Sequence, residues 1–130
     1  MLTAGIKGRE ETIVSEANSA KTMGSGTLNV FATPAMTALM EETAWKSVAP
    51  YLEEGCGTVG TLLNITHDAP TPFGMKVWCE SELVEVDGRR LVFQVTAYDE
   101  KGKIGGGRHV RFIIQNEKFQ AKADKKADPQ

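Results

Sequence analysis

One amphipathic helix stands ahead of a long run of alternating strands, and this change of hydrophobic period limits what the chain can fold into. Thr33-Pro34 marks the helix start: threonine is a good N-cap and proline suits the first helical position. From there Met36, Leu39, Met40, Ala44, Ser47, Val48 and Tyr51 recur on one stripe at helical spacing. Pro50 is the expected stop, because proline disfavours the helical conformation in the residue before it. The spacing therefore predicts a helix over 34–49, about 24 Å long. No other segment of the chain carries such a pattern.

After Gly55 and Gly57 the period becomes two. Val59, Thr61, Leu63, Ile65 and His67 fall on one face of an expected strand, with Gly60, Leu62, Asn64 and Thr66 on the other. Pro70, Pro72 and Gly74 end it. A second strand over 75–86 alternates Val77, Cys79, Ser81 and Leu83 against Lys76, Trp78, Glu80 and Glu82. Asp87-Gly88 signals a tight hairpin into a third strand with Leu91, Phe93, Val95 and Ala97 on one side. In the last strand, opened or bent by Gly105-Gly106-Gly107, Val110, Phe112 and Ile114 alternate with His109, Arg111 and Ile113. Residues 8–16 suit a polar first strand and 17–29 a loop. One helix that can cover the apolar face of an antiparallel meander is an α+β pattern. A single domain is expected over 1–119, with 120–130 a flexible charged tail too poor in apolar residues to order.

Charge narrows the function classes. Fifteen basic against 17 acidic residues leave no cationic excess for displacing counterions from nucleic acid. No run of about 20 apolar residues is present to span a membrane. The first residues lack the charged start and apolar stretch of a secretory signal, so a cytoplasmic protein with Cys56 and Cys79 reduced is expected. Asn64-Ile65-Thr66 then has no glycosylation context. The two histidines and two cysteines offer no close ligand pair, so no metal is expected. The glycine run at 105–107 lacks the lysine and the strand–loop–helix setting of a phosphate-binding loop.

Three residue types capable of polarisation, base and acid chemistry remain: Thr33, Glu41 and His67. Each also has a plain structural reading. Thr33 serves as an N-cap, Glu41 as a solvated acid beside Glu42, and His67 as a half-buried strand residue. His109 reads as a surface or interface side chain. Gly60 interrupts a strand-favouring run, which marks close approach by a ligand or another element.

Taken together, the ordered segments resemble hot-dog-fold thioesterases, and most of all the fluoroacetyl-CoA thioesterase type. The matching residues are Val30-Phe31-Ala32-Thr33, Leu39-Met40-Glu41, 49–53, Gly60-Thr61, Thr66-His67, Ala69, Thr71-Pro72, Gly74, the 86–91 hairpin, Gly105, Gly107, His109, Arg111 and 117–119. The likeness runs in order through roughly 28–119. It implies a hot-dog fold: a curved antiparallel sheet of about five strands wrapped around one long helix, two subunits paired edge to edge, and active sites at their interface. It further implies a catalytic group of Thr33, Glu41 and His67. The Gly60 backbone N–H would face the thioester carbonyl, and Arg111 would contact substrate.

The activity so implied is hydrolysis of a small acyl-CoA thioester to the free acid and coenzyme A. No cofactor is implied, since coenzyme A is part of the substrate, and a homodimer or dimer of dimers is expected. Glu41 would be nucleophile or general base, His67 a proton shuttle, and Thr33 a positioning or polarising hydroxyl. Arg111, Arg89, Arg90 and Arg108 are candidates for the CoA phosphates. The stretch 15–29 departs from the family pattern in being rich in glycine and serine and poor in aromatics, which bears on acyl selectivity. A hot-dog protein that binds an acyl-CoA without turning it over is the alternative. A ligand-free adaptor would leave the ordered matches unexplained.

Overall fold

The stripe along the long helix is buried because a sheet covers it. In the computed structural model, which describes residues 1–129, helix α2 (Thr33–Val48) buries Met36, Leu39, Met40, Thr43, Ala44 and Val48. Five strands receive it: β1 (Lys7–Ile13), β2 (Cys56–His67), β3 (Lys76–Asp87), β4 (Arg90–Asp99) and β5 (Gly102–Gln115). They form one antiparallel sheet in the order β1-β3-β4-β5-β2. The alternation read along β3 and β4 holds: Val77, Cys79, Leu83, Leu91, Phe93, Val95 and Ala97 are all fully buried in the core with α2. At about 1.5–3 kcal/mol for each large apolar side chain, this layer dominates the stability of the fold. This is the hot-dog arrangement.

The β3–β4 hairpin closes through Gly88-Arg89, with Asp87 paired to Arg90 and Gly88 at φ +61°. A positive φ at the first turn position suits glycine and matches the strand twist. The glycine run lies within β5, between β2 and β4. Side chains at Gly105 and Gly107 would run into the carbonyl oxygens of Thr66 and Asn64. These glycines therefore let strands approach closely.

Two segments depart from expectation. The stretch read as a loop over 17–29 contains a 3₁₀ turn, Glu16–Asn18, and a short helix α1 (Ala20–Met23). Ser19 Oγ caps α1 by accepting from the Thr22 N–H, and Gly24 ends it at φ +73°. The stretch read as a loose tail begins inside helix α3 (Asn116–Asp124), followed by a 3₁₀ turn over Lys125–Ala127. Alanine and lysine favour the helix locally, although α3 buries no residue. Among the described residues, no helix is long and apolar enough to cross a membrane.

Candidate active site

The sequence-predicted residues fall into two clusters. The first joins the start of α2 to the end of β2. Ala32, extended at ψ 142°, occupies the N-cap position, so Thr33 is the first helical residue and caps nothing with its side chain. Its hydroxyl is instead 2.7 Å from His67 Nδ1. The expected N-cap role is thus replaced by a side-chain pair across 34 residues.

His67 is held by Thr33 and by Phe31, which is itself anchored. The Phe31 ring packs edge-on against it. The Phe31 N–H donates to the Thr71 carbonyl, and Thr71 Oγ1 donates to Asp99 Oδ2 at 2.7 Å, both residues being buried. His67 Nε2 is buried without a hydrogen-bond partner. A protonated ring would leave that N–H unsatisfied. Burial accordingly lowers the His67 pKa from its usual 6.5, opposed by the Asp68 charge and the Ala69 backbone. A cavity of about 290 Å³ borders this pair, with Ala20, Ser25, Val30 and Phe31 among its walls.

The second cluster lies two turns further along α2. Glu41 Oε2 accepts from Arg111 Nη1 at 3.1 Å. Arg111 also donates from Nε to Thr58 Oγ1, from Nη2 to the Thr58 carbonyl, and from Nη1 to His109 Nε2. Four of its five N–H donors are therefore engaged within the chain, and its side chain is only 7% exposed. Burial presses the Arg111 pKa down while Glu41 raises it. Such a guanidinium braces Glu41, whose own side chain is 40% exposed. It is poorly placed to serve CoA phosphates. Glu42 is different: it forms an i,i+4 pair with Lys46 at 2.7 Å on the outer face.

Gly60 belongs to the second cluster. A Cβ there would stand 2.5 Å from Glu41 Oε2 and 3.2 Å from Arg111 and His109. The close approach expected at this glycine is made by the Glu41 carboxylate. Simple alternation put Gly60 and His67 on opposite faces of β2. The structure turns both toward α2, because a bulge between Gly60 and Leu62 adds one residue to β2 and resets its parity.

His109, expected at the surface or at an interface, is fully buried within the chain. The signal was available: it shares β5 parity with Arg111 and Ile113, and an inward Ile113 carries the whole set inward. Of the other arginines, Arg90 pairs with Glu85 at 3.1 Å, and Arg108 is exposed with no ion pair among the described residues. Arg89 lines two adjoining cavities. One is of mixed character, with Leu2, Tyr51, Glu53, Cys56 and Ile113; the other holds Lys118, Phe119 and Lys122. In the sequence Lys118 carries no role beyond its place in the 117–119 match, and Lys122 falls in the expected tail, because no helix is read there. Cys79 is no nucleophile, since burial pushes its thiol up to about 11. Among the described residues, no group of three or more His, Cys, Asp or Glu side chains could hold a metal ion.

Known proteins share both sequence and fold with this chain. The profile of the fluoroacetyl-CoA-specific thioesterase family matches residues 14–117. The fluoroacetyl-CoA thioesterase of Streptantibioticus cattleyicolor is 47% identical over 97 residues, which cover 75% of this chain and 70% of that protein. A solved structure of a fluoroacetyl-CoA thioesterase superimposes with a TM-score of 0.92 at 36% identity, covering 99% of each chain. A thioesterase superfamily member from Thermus thermophilus gives 0.86 at 30% identity, covering 95% of this chain and 91% of its own. The fold, the ordered motifs and these relatives agree, and the chain belongs to the fluoroacetyl-CoA-specific thioesterase family.

Proposed function

We propose that the protein is a cytoplasmic homodimer that hydrolyses a small acyl-CoA thioester at a site shared between two chains. One observation carries the shared site. Within a chain, the Thr33–His67 pair and Glu41 stand apart: eight helical residues from Thr33 to Glu41 rise about 12 Å. Both clusters flank β2, which is an edge strand of the sheet. Edge strands invite pairing. A twofold antiparallel pairing of β2 centred near Leu63-Asn64 sets Gly60 opposite His67 of the partner subunit. Leu62 and Leu63, 43% and 38% exposed, lie at that centre, where a second copy would cover them.

The mixed dimer tests this reading. Glu41→Gln and His67→Ala chains, each inactive alone, are unfolded together and refolded. A shared site gives each heterodimer one intact site, so activity should return to about a quarter of wild type. A site contained within one chain predicts no recovery, and that result would overturn the arrangement.

The chemistry needs water and no further cofactor. An oxygen joins the acyl carbon, the C–S bond breaks, and the proton lost on the way ends on the coenzyme A thiolate. Glu41 supplies the attacking or proton-accepting carboxylate. His67, oriented by Thr33, passes the proton, and the Gly60 N–H stabilises the oxyanion. Gly60→Ala should displace the carboxylate, because the added methyl meets the mobile end of Glu41. Turnover should fall about ten-fold with little change in melting temperature. Turnover equal to wild type would show that placement of Glu41 does not limit the rate.

A small acyl group suits the cavity beside Thr33 and His67, whose walls include Ala20 and Ser25. Arg89, Lys118 and Lys122 line a cleft without an acidic wall and suit the CoA phosphates, replacing Arg111, Arg90 and Arg108 in that role. The free thiols Cys56 and Cys79 fit a reducing compartment. A thiol-release assay over short, branched, aromatic and halogenated acyl-CoAs fixes the acyl preference.

A further inference from the structure

His109 is a buried imidazole whose two nitrogens have fixed and opposite duties. Its ring is fully buried and packs 6.1 Å from the Phe93 ring. Nδ1 is 2.8 Å from the Leu62 carbonyl oxygen. A carbonyl only accepts, so Nδ1 carries the hydrogen. Nε2 is 3.1 Å from Arg111 Nη1. A guanidinium only donates, so Nε2 is bare. A doubly protonated ring would point an N–H at another N–H beside a positive charge. Burial, and then the Arg111 charge, lower the His109 pKa accordingly, against the Leu62 carbonyl and Glu41.

Arg111 Nη1 has two hydrogens: one goes to Glu41 Oε2 and the other to His109 Nε2. Thr58 holds the opposite edge of the guanidinium. Without the acceptor at His109, Glu41 is the one partner left on the Nη1 edge, and the guanidinium can hinge about its Thr58 bonds. We infer that His109 is a positioning residue, whose bare Nε2 locks Arg111 so that Arg111 fixes one oxygen of Glu41 and leaves the other for chemistry. This rests on Glu41 being the catalytic carboxylate, which Glu41→Gln tests by itself.

Three substitutions separate this role from mere core filling. His109→Gln can place an acceptor oxygen where Nε2 stood. His109→Asn keeps a donor for the Leu62 carbonyl and loses that acceptor. His109→Leu fills space and keeps neither. The expected result is that Asn and Leu lower kcat about ten-fold with KM within about two-fold of wild type, while Gln restores most of the rate. In ¹⁵N spectra of the folded wild-type protein, His109 should show a protonated Nδ1 and a bare Nε2. Gln no faster than Asn, a loss that appears in KM instead of kcat, or the opposite tautomer would each overturn the inference. The comparison of Asn with Gln stands even if the Leu variant fails to fold. If Glu41→Gln is inactive and the His109 variants are equivalent, the inference fails while the thioesterase reading holds. A fully active Glu41→Gln overturns the inference together with the catalytic role of Glu41, and leaves the thioesterase reading to the thiol-release assay.

Discussion

Glu41→Gln should lower turnover about 10²-fold or more on the best acyl-CoA while the protein stays folded. Glutamine keeps the shape and one acceptor for Arg111 Nη1, but it can neither attack a thioester nor take a proton from water. The cost to stability is about 1–3 kcal/mol, because Arg111 loses its counter-charge in a largely dry setting. Glu42→Gln is the matched control. Its Lys46 pair is exposed, so its loss should leave melting temperature and turnover nearly unchanged. Single turnover in ¹⁸O-water bears on the two possible duties: label in the Glu41 carboxylate requires an acyl–glutamyl anhydride opened by water at the glutamyl carbon, and so a nucleophilic Glu41. Equal turnover in the Glu41→Gln protein and wild type would leave Glu41 as nothing more than the anion that neutralises Arg111.

The reasons this site was only partly legible in the sequence are local. The α2 stripe, the alternation of β3 and β4 and the 87–90 hairpin follow from period and turn chemistry, and the structure keeps them. Fold type and the three candidate residues followed from ordered motifs. What period cannot carry is an inserted residue. The β2 bulge after Gly60 turns Gly60 and His67 to the same side, and the only trace of it was a glycine in a strand-favouring run. Thr33 followed the capping rule by residue type, yet Ala32 took the cap and freed the hydroxyl for His67. His109 misled because polar side chains are usually exposed; its burial depends on Leu62 and Arg111, contributed by two different strands. That Glu41 lies far from Thr33 was implicit in eight residues of helix. Its meaning emerged only once both clusters were seen beside the same edge strand.

His67→Ala should also lower turnover about 10²-fold, with a smaller change in KM, since the proton transfer belongs to the transition state. It should cost more than any His109 substitution, because His109 acts at one remove. The lowered pKa of His67 fixes the direction of the pH response. Its folded pKa lies below the usual 6.5, so the ring is neutral at pH 7 and able to accept a proton. A loss of kcat/KM on acidification should therefore begin below pH about 6.5. The same shift acts on stability. Between the folded and unfolded pKa values the unfolded chain binds more protons, so stability rises with pH across that interval and falls as the solution is acidified. His109 is shifted the same way and adds to the effect. Melting temperature should accordingly hold above pH about 7 and drop below pH about 6, by less in His67→Ala, which has lost one of the two groups. If the His67→Ala protein keeps the full acid sensitivity of melting and most of its turnover, the histidine that matters lies elsewhere, and the pairing of His67 with Thr33 is structural.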